Sequence, residues 1–76
     1  MAERINAGYK IIKAIEIEDI EIVLGEDKSK QLSPYVTWIC NQGRYNLGHY
    51  FESYRSALSD FYYRVFKECK LAINKG

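Results

Sequence analysis

The sequence predicts a small α+β domain in which a short antiparallel β-sheet, made of two hairpins, is covered on one face by a C-terminal amphipathic helix. Three observations carry this expectation. From Tyr9 to Leu24 apolar, largely β-branched residues recur at alternate positions; from Tyr35 to Phe51 two strand-like runs flank Asn41-Gln42-Gly43-Arg44; and beyond Ser53 the apolar period changes to three and four. With 76 residues there is room for one core only, and such a chain buries roughly 60–65% of its unfolded surface. Hydrophobic content of 47%, with 14% aromatics, is enough to offset the entropy of ordering that chain without a disulfide staple.

Residues 1–7 (MAERINA) lack a period and are expected to form a loose arm on a single domain spanning 1–76. In the following YKIIKAIEI, the residues Tyr9, Ile11, Ile15 and Ile17 share one parity, interrupted by Lys13, which predicts the first strand. Ile20, Ile22 and Leu24 then mark one face of a second strand. If Ile17 and Ile20 flank the turn, Glu16 faces Glu21 across the hairpin. Glu18-Asp19 is poor chemistry for a tight primed turn, so a wider connection and another register stay open. Gly25 to Pro34 (GEDKSKQLSP) has the composition of an exposed loop, and Pro34 directs its exit into extended chain.

The second hairpin carries the stronger turn signal. A two-residue loop at Gln42-Gly43 sets Cys40 against Tyr45, Trp38 against Leu47 and Val36 against His49, with Phe51 on the same apolar face. Tyr35, Thr37 and Ile39 then lie on the outer face opposite Tyr50, Gly48 and Asn46. A three-residue loop would set Trp38 against Asn46, so the register that keeps one face dry is preferred. Ser53 is a natural N-cap for a helix whose stripe runs through Tyr54, Ala57, Leu58, Phe61, Tyr62, Val65, Phe66, Cys69, Ala72 and Ile73. The predicted core joins Trp38, Leu47, Leu58, Phe61, Val65 and Phe66 where this hairpin meets the helix.

Few function classes find support in these residues. No apolar run approaches the ~18 residues of a membrane span, and no secretory pattern is present, so the expected setting is cytoplasmic and reducing. Cys40 and Cys69 have neither CxxC nor zinc spacing and are expected to be buried, reduced and inert. His49, the single histidine, is expected on the Trp38 face, partly buried, with no recognisable nucleophile context and no partner carboxylate. The acidic residues lack the spacing and mid-loop glycine of a calcium hand. No catalytic residue, cofactor or metal is therefore assigned, and the expected function is that of a small non-enzymatic interaction protein.

Charge supplies the main clue to a partner. Net charge is only +1, yet Glu16, Glu18, Asp19, Glu21, Glu26 and Asp27 fall within one stretch free of bases, while the helix collects Arg55, Arg64, Lys67, Lys70 and Lys75. Glu16, Glu18, Asp19 and Glu21 are the candidate contacts to a basic protein surface, one that could normally hold nucleic acid. Tyr35 and Tyr50, on the expected outer face near Arg44, form a second candidate surface similar to a stacking platform for bases. A balanced charge makes direct nucleic-acid binding the weaker alternative, through those tyrosines or the basic helix face. Self-association through the uncovered sheet face or an edge gives a structural homo-oligomer as a further alternative.

The strings PYVTWIC, YNLGHYF and SALSDFYYR, which span Pro34 to Arg64, resemble a pattern in short uncharacterised proteins encoded on bacterial phages, plasmids and conjugative elements. The resemblance implies a context rather than an activity: an accessory factor or inhibitor that works by binding host machinery.

Overall fold

Five strands and one helix make up the computed structural model, which describes residues 3–75. The strands are β1 (Ile5–Asn6), β2 (Tyr9–Ile17), β3 (Ile20–Glu26), β4 (Tyr35–Asn41) and β5 (Arg44–Phe51), and the helix is α1 (Tyr54–Lys75). All pairings are antiparallel between chain neighbours, so the sheet order is β1-β2-β3-β4-β5. The α+β class and the helix-covered sheet agree with the sequence; the fifth strand is additional. Part of the expected loose arm is this strand, because Ala7 and Gly8 adopt φ of 52° and 84° and return Asn6 onto Tyr9. Residues 1 and 2 of that arm lie outside the described residues.

The other two hairpin turns also have two residues each. Gln42 and Gly43 sit at φ of 52° and 78°, with Asn41 paired to Arg44 and Cys40 to Tyr45. At the β2–β3 turn Ile17 pairs with Ile20 and Glu16 with Glu21, and Glu18 is held at a φ of 56°. β3 continues through Gly25, which the sequence places in a loop. It is buried in the sheet, where an added Cβ would lie 3.0 Å from the Tyr9 Cβ and 3.2 Å from Val36 Cγ1.

Two register shifts decide which side chains meet the helix. In β2 the shift between Ile11 and Lys13 turns Tyr9 and Ile11 to one face and Ile15 and Ile17 to the other, so the four do not share a face as their parity suggests. In β5 the pairs Ile39–Asn46 and Thr37–His49 leave Leu47 and Gly48 together opposite Trp38. Parity reverses there: His49 and Phe51 share the helix side with Tyr35, Thr37 and Ile39, whereas Tyr45 and Tyr50 share the other side with Val36, Trp38 and Cys40.

The helix consequently covers the face expected to be outer. Its core contains Ile17, Ile22, Leu24, Ala57 and Phe61, flanked by Ile15, Ile39, Phe51, Leu58 and Val65. Trp38 is buried, but on the opposite face with Tyr9, Val23, Val36 and Cys40. Leu47, 70% exposed, and Phe66, 61% exposed, belong to neither cluster. The stripe extends around more of the helix than the sheet can cover: Ala57, Phe61 and Val65 face the strands, and Tyr62 and Phe66, one position further round the helix, do not. Tyr62, Phe66, Cys69 and Ile73 thus remain exposed along the outer side of α1. Ser53 caps the helix as expected, its Oγ accepting from the Ser56 amide at 3.1 Å.

Candidate functional site

The β2–β3 turn and the last turns of α1 form an acidic groove of about 750 Å³. Ile17 and Ile20 approach from the hairpin, Leu71 and Ala72 from the helix, and Glu18, Asp19, Glu68 and Asn74 complete the lining. The two-residue turn is the local cause, because it places consecutive carboxylates between two isoleucines that pair across the hairpin. Among the described residues, four apolar side chains, three carboxylates and an amide line the groove.

The other two candidate acids stand elsewhere. Glu16 pairs with Glu21 one position beyond Ile17 and Ile20, and therefore on the opposite sheet face. Glu21 is engaged by Arg4, whose Nη2 and Nη1 reach its two carboxylate oxygens at 3.0 and 3.1 Å. Arg4 also donates to the Tyr45 hydroxyl at 3.0 Å; the Glu21 and Tyr45 bonds raise its proton affinity, against a smaller opposing effect of burial. The like-charge opposition at Glu16 and Glu21 thus has a cation beside it, drawn from the segment expected to be loose.

Tyr35 and Tyr50 do not form one surface. Tyr35 packs on the helix side with its ring 5.6 Å from that of Tyr54, and Tyr50 lies on the other side 6.2 Å from Tyr9. Tyr9 meets Trp38 edge to face at 5.6 Å, and Trp38 meets Tyr45 at 5.4 Å. Contact between Tyr9 and Tyr50, from strands separated by two others, shows that the sheet curls around these rings. Lys30 Nζ covers Tyr9 at 4.5 Å, and the Tyr9 hydroxyl donates to the Ser33 carbonyl at 2.8 Å. Of the two candidate tyrosines, Tyr50 is exposed at 56% and Tyr35 is half-buried, so the pair presents no joint platform to bases.

A polar cluster at the sheet–helix junction was not legible in the sequence. Asp60 Oδ2 accepts from the Thr37 hydroxyl at 2.6 Å, lies 3.1 Å from His49 Nδ1, and is 3.3 Å from Arg64 Nε. His49 thus has a carboxylate partner and is exposed, contrary to both expectations, because the β5 shift turns it toward the helix. Arg64 is buried at 7% exposure, and that burial lowers its proton affinity against the opposing fields of Asp60 and Glu68. Its Nη2 donates to the Leu47 carbonyl, while Nη1 is sealed and has no hydrogen-bond partner among the described residues. Arg64 and Asp60 themselves line a pocket of about 260 Å³ together with Ile39, Leu47, His49, Tyr63, Lys67 and Glu68. The Asp60–Arg64 spacing of four along the helix was the available signal; the third and fourth members arrive through tertiary structure.

The Thr37 hydroxyl is fully buried and committed to Asp60, so it is not poised as a nucleophile. Among the described residues no three His, Cys, Asp or Glu side chains converge as a metal site. Cys40 is buried as expected, whereas Cys69 is exposed because the outer side of α1 has no sheet against it. No helix among the described residues is long and apolar enough to cross a membrane.

Fold and surface together define a small α+β domain with an acidic groove at one end and a buried arginine cluster at the helix junction. No protein-family model, curated protein or solved structure matches the chain.

Proposed function

We propose that this chain is a non-enzymatic protein-binding module whose acidic groove receives a basic partner segment with an apolar side chain at its centre. The observation that carries the reading is the lining of the groove among the described residues, where Glu18, Asp19 and Glu68 surround Ile17, Ile20, Leu71 and Ala72. Carboxylates at the rim steer Lys and Arg side chains, and desolvation of the apolar floor supplies affinity. A partner whose basic surface holds nucleic acid fits this chemistry, and an inhibitor of such a protein is its concrete form.

Selection of a random peptide library on the immobilised protein tests the reading. Enriched peptides should carry Lys or Arg around Leu, Ile or Phe, and their binding should weaken as salt shortens the Debye length below about 10 Å. The triple variant Glu18→Gln, Asp19→Asn, Glu68→Gln should lose them. Enrichment of acidic peptides, or equal capture by the variant, would refute the proposal.

A second reading, self-association, is favoured by Tyr62, Phe66, Cys69 and Ile73, which lie exposed at spacings of four, three and four along α1. Sedimentation velocity would then show a concentration-dependent dimer that Phe66→Glu abolishes, and a monomer at all concentrations would exclude it.

A further inference from the structure

We propose that the basic segment received by the acidic groove is the adjoining flank of α1 on a second copy of this chain, so that two copies pair about a two-fold axis. The inference rests on the groove reading above and names its partner.

Charge on α1 is segregated by side. Among the described residues every exposed charged side chain of the helix is basic (Arg55, Lys67 and Lys70), while its two acids, Asp60 and Glu68, are half-buried where the helix meets the strands. Lys67 and Lys70 enter no ion pair among the described residues. Their ammonium groups lie on rings of their own helix instead, Lys67 Nζ 5.4 Å from the centre of Tyr63 and Lys70 Nζ 6.0 Å from that of Phe66. The groove acids are in the same condition. Glu21, Glu26, Asp27 and Asp60 each have a cation within the chain, whereas Glu18, Asp19 and Glu68 have none among the described residues. Two uncompensated sets of opposite sign, each beside apolar surface, complement one another.

Their placement favours a closed pair. With 3.6 residues per turn, Tyr63, Lys67, Lys70 and Asn74 fall within roughly 60° of one another around the helix. Asn74 lines the groove, so this row of side chains runs directly into it. Two such helices crossing antiparallel at the level of residue 69 bring Lys70 of each copy beside Glu68 of the other, and Lys67 beside Leu71. Tyr63, 59% exposed, is then the apolar side chain offered to a floor that includes Ile17 and Ile20. Each copy gives and receives the same contacts, so the pair closes on itself instead of propagating as a filament. This flank is distinct from the outer stripe of Tyr62, Phe66, Cys69 and Ile73.

Sedimentation velocity at low ionic strength tests the inference on the parent, on Glu18→Lys with Asp19→Lys, and on Lys67→Glu with Lys70→Glu. All four positions are exposed, so equal urea midpoints should certify that the variants fold. The parent should show a concentration-dependent dimer that salt weakens. Each double variant opposes like charges in both halves of the interface and should stay monomeric at least tenfold above the concentration at which the parent pairs. An equimolar mixture of the two variants should pair again, because the basic groove of one meets the acidic flank of the other. A double variant that still dimerises, or a mixture that stays monomeric, would overturn the inference. A monomeric parent that still captures basic peptides overturns this inference alone and leaves the groove to a different protein.

Discussion

Two phenylalanines five residues apart on α1, both within the apolar stripe of the sequence, should differ sharply in their contribution to stability. Phe61 is 0% exposed and packs with Ile17, Ile22, Leu24 and Ala57, so Phe61→Ala opens a cavity against a hydrogen-bonded sheet that cannot close over it. Such truncations cost about 3–5 kcal/mol. Domains of this length have total stabilities of about 4–11 kcal/mol, from ~0.05–0.15 kcal/mol per residue, so the loss takes a large share of the whole. With a urea slope of about 1 kcal/mol/M, the midpoint should fall by about 3 M or more, or the protein should be unfolded at the outset. Phe66→Ala, at an exposed position, should stay within about 0.5 kcal/mol of the parent. Trp38, buried on the opposite sheet face, serves as the fluorescence reporter without touching either site. Equal losses for the two variants would refute the assignment of helix faces, as would a Phe61→Ala protein with an unchanged midpoint.

Thr37→Val removes the hydroxyl bonded to Asp60 at 2.6 Å and should cost about 1–3 kcal/mol in the same urea titration; no loss would show that the cluster contributes nothing to docking the helix. A thiol reagent should label Cys69 rapidly in the native protein and Cys40 only after denaturant is added, and rapid labelling of both would contradict the burial of Cys40. Lys30 at 2.6 Å and the Ser29 hydroxyl and amide hold the Asp27 carboxyl down at about 2. Its stabilising contribution is therefore full above the ordinary carboxylate value of about 4 and disappears as pH falls through about 2; a carboxyl NMR titration centred near 4 would disprove the clamp.

The elements were largely legible because they rest on local chemistry. Ser53 announces the helix start, Gln42-Gly43 the tight second turn, and Ile20, Ile22 and Leu24 the face of β3 that meets the helix. Face assignment failed where a shift of one residue overrides strict alternation. β4 is apolar on both sides, with Val36, Trp38 and Cys40 on one and Tyr35 and Ile39 on the other, so hydrophobicity alone does not say which side α1 covers. The shift at Leu47 and Gly48 then reverses the second half of β5. Gly48 permits it: a Cβ there would lie 2.9 Å from Trp38 Nε1 and 3.1 Å from the Tyr50 ring and hydroxyl. His49, Asp60 and Thr37 come together as a consequence, and no periodicity in the chain encodes that meeting.

The acidic end was legible as composition and only half legible as a surface. Charge counting groups Glu16, Glu18, Asp19 and Glu21, but the pleat separates Glu16 and Glu21 from the groove and Arg4 compensates Glu21. The helix supplies the third acid, Glu68, from a segment that the sequence marks as basic. Glu68 also lines the pocket beside Arg64, so one side chain borders both hollows of the surface. Its carboxylate faces the groove in which a basic segment is proposed to bind. Neutralising Glu68 alone should therefore weaken capture of a basic peptide by the groove, whereas neutralising Glu16 on the opposite sheet face should leave it unchanged at the same net charge; equal losses in a peptide-binding titration would show that only overall charge matters.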